Sequence, residues 1–464
     1  MRLTTIFVFL LAAASATTAK DKPNVVFVFA DQWRAQAASF AGDPNVRAPA
    51  LDKLAADGIR FTAAVSTCPV CSPYRASLLT GQYALTHGVF LNDVPLGTNA
   101  VSLAHAFRAA GYHTGYIGKW HVDGHGRGSF IPRERRQGFE FWRVLECTHA
   151  YNRSPYYADD NVKKIWPGYD ADAQTAEAQQ YIREHAAHEP FLLVLSWGPP
   201  HNPYNTAPEH FRNMFDPAKI SLRPNVPPEN ETTARKDLAG YYAHIAALDA
   251  CLGRLRDTLR DTGIERDTLF VFTSDHGDML GSHGEQRKQR PHDEAIGVPL
   301  LLHWPALGVN TPRIITTPIG TPDIMPTLLG LCGIEIPKTV EGRDYSAHIR
   351  GGAAPDDAAL IACYTPFGEW TRARGGREYR GVRTARHTYV RALDGPWLLF
   401  DNETDPYQQK NLCSDPSMSA VRQQLDTTLA RKLRECRDDF RPGNDYIRKW
   451  KYAVDKTGTA PTAE

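Results

Sequence analysis

Cys68 and Cys71 stand three positions apart, and Arg75 follows Cys71 by four with Pro73 between them. Proline suits the first turn of a helix, which puts Cys71 at a helix N-terminus, where free N–H groups and the dipole favour negative charge. Arg75 then lies one turn on, over the same face. A thiol so placed could be a nucleophile of lowered pKa; the two cysteines could equally be a redox pair or half of a zinc site. No second cysteine pair has zinc-ligand spacing, and the length and neighbouring motifs do not fit a thioredoxin-like oxidoreductase.

Four apolar runs also end in residues that hold metals or anions. The run 24–29 (NVVFVF) leads to Asp31 and Gln32, 113–117 to Lys119 and His121, 191–197 (FLLVLSW) to His201, and 268–273 (TLFVFT) to Asp275 and His276. Each residue alone has a plainer reading. An Asp after a strand commonly caps a helix or turn, a single His is more often structural, and a single Lys such as Lys288 is usually solvated. Four such run-ends together are a site signature.

The elements that must position them follow from the same runs. Short buried apolar stretches alternating with helical segments predict a mainly parallel sheet covered on both faces, and ligands of such sheets bind at the carboxyl ends of the strands. Leu238, Tyr241, Ile245, Leu248, Leu252, Leu255 and Leu259 predict a helix over 237–261 that stops at Gly263, with Cys251 packed as a small core residue. The stretches 151–170 and 202–230 read as long surface excursions, a kind of loop that often carries function. Beyond Gly351-Gly352, strand-like runs at 379–391 and 396–402 and a polar helix at 418–436 predict a smaller antiparallel subdomain. The expected organisation is a signal segment at 1–19, a large domain at 20–354, an α+β subdomain at 355–455 and a flexible tail at 456–464.

With 464 residues, 42% of them hydrophobic, the chain can build an ample core, which excludes a disordered chain or a disulfide-stapled miniprotein. Lys and Arg total 53 against 52 Asp and Glu, a net charge of +1. That excludes a nucleic-acid-coating surface, so attraction for anions must be local. Arg2, the apolar run 6–14 and the small residues that follow read as a secretory signal. The expected location is therefore periplasmic or secreted, or lysosomal in a eukaryote. No apolar run reaches the roughly 20 residues that span a bilayer, so no stable membrane anchor is expected. The eight cysteines permit one or two disulfides without naming the pairs.

Cys71-Ser72-Pro73-Tyr74-Arg75, followed by ASLLTG at 76–81, resembles the C-x-P-x-R signature of the formylglycine-dependent (type I) sulfatases, in the alkaline phosphatase superfamily. Residues 111–121, 199–204, 274–284 with Lys288, 326–329 and 399–406 resemble family segments in family order, over most of the chain. The resemblance implies an α/β fold with a large mainly parallel sheet sandwiched by helices, plus the C-terminal antiparallel subdomain. It implies a sulfatase; export and the long loops, which could line a saccharide pocket, favour a sulfated carbohydrate over a sulfated small molecule as substrate. Aryl or alkyl sulfates, a phosphonate monoester or phosphodiester, and an unmatured glycan-binding pseudoenzyme are the rival readings.

By the same resemblance a maturase oxidises Cys71 to formylglycine, whose hydrate offers one hydroxyl to attack sulfur and a second to expel sulfate afterwards. The metal would be Ca2+, with Mg2+ second, held by Asp31, Gln32, the converted Cys71, Asp275 and His276. Arg75 and Lys119 would hold the hydrate, His121 and Lys288 the sulfate oxygens, and His201 would give a proton to the departing alcohol. The chain departs from the commonest family pattern in carrying Gln32 where Asp is frequent, His276 where Asn is frequent, and Tyr74 where Ser is frequent. His125 and His292 are secondary substrate-contact candidates, with Asn92, Asp93, Arg127, Arg153 and Arg290; His87, His113, His149 and His283 read as structural.

Overall fold

The structure, a computed structural model, describes residues 22–461; the signal-like segment 1–19 lies outside them. The main sheet has eight strands: β1 (Asn24–Asp31), β2 (Ile59–Phe61), β3 (His113–Lys119), β4 (Phe141–Leu145), β5 (Phe191–Pro200), β6 (Thr268–Ser274), β7 (Leu300–His303) and β8 (Arg313–Ile315), in the order β8-β2-β7-β6-β1-β5-β3-β4. Only β7 opposes its neighbours; β1 lies centrally, parallel to β5 on one side and β6 on the other.

Alternation along β1 sends successive side chains to opposite faces. Val25, Phe27 and Phe29 enter one core, and Val26, Val28 and Ala30 the other. The first core is covered by helices α1 (Cys71–Thr80) and, later in the chain, α4 (Thr321–Leu331); the second by α2 (Asp170–His185) and α3 (Glu231–Asp261). α3 begins six residues before the expected 237 because its first turn is largely exposed and carries no apolar spacing; only Ala234 there faces inward.

A second sheet is antiparallel: β9 (Ala358–Cys363), β10 (Tyr379–Thr384), β11 (His387–Ala392) and β12 (Gly395–Asp401), backed by α5 (Ser419–Glu435). The stretch read as one run at 379–391 is two strands joined by a tight turn, across which Thr384 Oγ1 accepts the His387 N–H. Within the stretch expected as a tail, residues 456–461 make contacts with the body of the chain. Gly368 N–H donates to the Thr457 carbonyl, Asp455 Oδ1 accepts the Thr457 and Thr459 amides, and Ala460 is buried. A small polar composition permits that packing because a backbone bond and an Asp-anchored turn hold it.

All eight cysteines are unbridged. No helix among the described residues is long and apolar enough to cross a membrane.

Candidate active site

The site lies where the parallel strands deliver their carboxyl ends. α1 enters it buried along its whole length, with Gly81 in left-handed conformation as its stop. Its N-terminus has no side-chain cap of its own; instead Asn92 Oδ1 accepts the Ser72 N–H at 3.0 Å. This holds the first turn and aims Cys71 outward over the end of β1.

Around Cys71 Sγ the chain converges from five segments. Lys288 Nζ donates to it at 3.0 Å, His276 Nε2 lies 3.3 Å away and Asp31 Oδ1 3.7 Å away. Lys119 Nζ meets Asp31 Oδ2 at 2.5 Å. The Arg75 guanidinium bridges Asp31 and Asp275 at 3.2 and 3.1 Å, and its other end donates to Ser196 Oγ and the Lys119 carbonyl. Gln32 and His121 both sit in left-handed backbone, at φ 72° and 59°. Such conformations in bulky residues mark places where the chain is turned to aim a side chain.

Asp31, Cys71, Asp275 and His276 each bring a ligand-type atom within 4.8 Å of the others. His276 Nδ1 is engaged by the Gly277 carbonyl at 2.9 Å, leaving Nε2 to the cluster. Gln32 Nε2 is fixed on Asp278 Oδ2 at 2.6 Å, so its Oε1 is the free end, buried and without a hydrogen-bond partner. Asp278 in turn accepts the Tyr204 hydroxyl, and nothing in the sequence reading singled it out beyond its place two residues past His276.

The electrostatics are those of a crowded cluster. Burial and the neighbouring Asp31 charge push Asp275 up to about 6. Burial also works against the Asp31 charge, but Lys119, His201, Arg75 and His276 outweigh it and hold that carboxyl well below its usual range. Burial and Asp31 raise the Cys71 thiol, yet Lys119, Lys288 and His276 win and bring it well below the ordinary thiol value. His121, despite burial, rises to about 9 through Cys147, with Asp93 adding to it; its Nε2 pairs with Asp93 at 3.1 Å and its Nδ1 is buried without a partner. His201 is driven well below its usual value by burial and then Lys288. With Nδ1 on the Asn202 carbonyl at 2.8 Å, its Nε2 faces Lys288 at 3.3 Å, the tautomer following from those two bonds.

A cavity of about 180 Å³ opens over Cys71, lined by Lys119, His121, His201 and Lys288 together with Asn92, Asp93 and Arg127. Cys71, Lys119, His121, His201 and Lys288 line this cavity, Asp31, Arg75, Asp275 and His276 lie beneath it in contact with them, and Gln32 joins through its backbone N–H, which donates to Asp275 Oδ1 at 3.0 Å. Among the secondary candidates, Arg127 is paired with Asp93 at 2.7 Å on the cavity wall. His125, His292, Arg153 and Arg290 do not line the cavity: His125 is held by Asp123, His292 is half-buried and stacked on His283, and Arg290 pairs with Glu285. Sequence reasoning missed Cys147 and His149, both on the wall, with His149 stacked on His201 at 4.5 Å between ring centroids. They follow β4, a half-buried run whose mixed polarity concealed a fifth strand end. It also missed Phe367, Gly368 and Glu369 after β9, and Thr459 from the tail.

Comparison with known proteins agrees with this geometry. The Sulfatase family profile matches residues 23–334, and a profile of the C-terminal region of N-sulphoglucosamine sulphohydrolase matches residues 281–435. An ulvan-active sulfatase of Formosa agariphila is 43% identical over 447 residues, covering 95% of this chain and 86% of that protein. An endo-4-O-sulfatase of Bacteroides thetaiotaomicron is 29% identical, covering 90% and 93%. A solved structure from work on the metabolism of multiple glycosaminoglycans by B. thetaiotaomicron superposes with a TM-score of 0.82 at 27% identity, covering 93% of this chain and 99% of the other. With its mainly parallel sheet, its smaller antiparallel sheet and these relatives, the chain belongs to the sulfatase family of the alkaline phosphatase superfamily and is a sulfuric ester hydrolase.

Proposed function

We propose that this sulfatase is exported and removes sulfate from a sulfated carbohydrate, with Cys71 converted by a maturase to formylglycine as the nucleophile. The observation that carries the reading is the convergence of cations about one atom: Lys288 at 3.0 Å from Cys71 Sγ, with Lys119 and His121 on the same cavity wall and the neutral His201 beside them. Export rests on the signal-like segment 1–19, and the carbohydrate on the relatives named for ulvan and for endo-4-O action.

The metal implied by the family meets a fitting donor set. Asp31 and Asp275 offer carboxylates, His276 its Nε2, and Gln32 an otherwise orphaned buried Oε1. Burial, with the neighbouring Asp31 charge adding to it, pushes Asp275 up to about 6, and a divalent cation between the two carboxylates relieves that cost. Oxygen donors from several segments suit Ca2+, with Mg2+ second because it demands near-ideal octahedral geometry. When bound, such a metal supplies positive charge that acidifies the nucleophile's hydroxyl and offsets sulfate charge.

The chain's own residues do the rest. The thiol at Cys71 marks where the formylglycine oxygens project, and its hydrate supplies a nucleophilic and a departing hydroxyl on one carbon. Arg75, bridging Asp31 and Asp275, and Lys119, on Asp31, fix the floor of the site. His121 offers its unpartnered Nδ1, and Lys288 its ammonium, to sulfate oxygens. His201, oriented by the Asn202 carbonyl, would face the leaving group; burial and then the Lys288 charge keep it neutral, and a bound sulfate offsets the latter, so that it can carry the proton to the departing alkoxide.

The test is sulfate release, read by ion chromatography, from sulfated saccharides, 4-nitrocatechol sulfate and a phosphonate monoester. Release from a saccharide class supports the reading; turnover confined to aryl sulfate or phosphonate contradicts it.

A further inference from the structure

Beside the catalytic cavity lies a second one of about 430 Å³, and Asn202 stands in the walls of both. Its volume falls in the range of ligand pockets, roughly 300–1,000 Å³. Arg212, Lys236 and Arg287 line it against a single carboxylate, Asp237, while Tyr204 and Phe215 supply rings. The chain as a whole carries +1, so this excess of cations is a local feature. Arg212 and Lys236 are exposed, and neither is committed to a salt bridge among the described residues.

Arg287 joins the two cavities. Its guanidinium lies over the Tyr204 ring, donates to the Tyr204 hydroxyl and reaches to 3.9 Å from Glu369, which lines the catalytic cavity. Asn202 holds His201 through its carbonyl, while its own Oδ1 is buried with no partner.

We infer that the larger cavity is a subsite for a sugar neighbouring the one that loses sulfate, and that it recognises an anionic group on that sugar, a carboxylate or a second sulfate ester. The substrate is then an oligosaccharide or polysaccharide, not a lone sulfated monosaccharide. This inference rests on the carbohydrate reading above.

The test uses the full chain, maturase-co-expressed, as wild type and as the double variant R212E/K236E, whose positions are exposed. The probes are ulvan oligosaccharides, chondroitin sulfate tetrasaccharides, carboxyl-reduced forms of both, and 4-nitrocatechol sulfate. KM for the oligosaccharide turned over should rise about tenfold or more, with kcat within about twofold, and the difference should shrink at high salt. The aryl ester, too small to reach the subsite, should show no such rise. A difference that vanishes on the carboxyl-reduced probe assigns the anion as a carboxylate; one that persists assigns a second sulfate. An unchanged KM on a saccharide that wild type does turn over, or a loss confined to kcat, overturns the subsite alone. Wild type acting on the aryl ester and on no saccharide overturns the carbohydrate reading, and the subsite with it.

Discussion

Lys288 places its ammonium 3.0 Å from the Sγ of Cys71, a residue 217 positions away in sequence, and 3.3 Å from His201 Nε2. One cation thus faces both the proposed nucleophile position and the proposed proton donor. Replacing Lys288 by Ala should lower kcat by roughly 10²–10³, the scale for removing one donor aimed at developing charge. Lys288→Arg should recover only part, because a planar fork cannot occupy a point-charge site. Steady-state kinetics on one saccharide checks this; a change confined to KM would mean that Lys288 only binds.

Asp278 controls Gln32 from behind. By taking Nε2 at 2.6 Å it leaves Oε1 as the free, buried end, the one proposed to meet the metal. Asp278→Asn allows the amide to turn over, and affinity for Ca2+ should fall about 10- to 100-fold, the usual scale for losing an outer partner of a ligand. Calcium titration followed by the rise in Tm reads it out. Asp275→Ala should abolish binding altogether; full metal content in that variant would contradict the donor set.

His201→Ala should penalise poor leaving groups most. Alkyl and sugar esters need a proton on the departing oxygen, whereas an activated aryl sulfate needs little help. A rate loss larger on the saccharide than on 4-nitrocatechol sulfate is expected, and equal losses would remove His201 from the acid role.

Glu146 gives a stability test apart from the chemistry. Its Oε1 accepts the Asp123 and Gly124 amides, its Oε2 is buried without a partner, and burial raises it to about 7. Because the folded state holds this proton more tightly than the unfolded chain, whose Glu titrates near 4.5, the carboxyl costs stability as pH rises from about 4.5 to 7. It costs nothing extra below that window. Glu146→Gln keeps the acceptor and removes the charge. The variant's stability relative to wild type should grow across the window, to on the order of 3 kcal/mol, and level off above it. A pH-independent difference in denaturant midpoints would contradict the assignment.

The parts of the site that can be read from the sequence are those where local signal and function coincide. Asp31, His201 and Asp275 follow dense apolar runs, and parallel neighbours bring such run-ends to one edge. Cys71 and Arg75 are tied by helical spacing. Cys147 and His149 escaped because β4 alternates buried and half-buried residues and does not read as a core strand. Glu369 and Thr459 escaped for a different reason: they come from the antiparallel sheet and the tail, and only tertiary packing brings them to the cavity. A lone buried Asn92, by contrast, turns out to cap α1, a role that no spacing rule would reveal.

The central claim is that hydrolysis runs through an oxidised Cys71. The most direct measurement is mass spectrometry of the peptide bearing residue 71, taken from one maturase-co-expressed preparation whose sulfate release is assayed alongside Cys71→Ala. The sulfur at position 71 should be replaced by an aldehyde oxygen, activity should scale with the converted fraction, and Cys71→Ala should fold but release no sulfate. Full activity from protein whose Cys71 remains an unmodified thiol, or from the Ala variant, would contradict it.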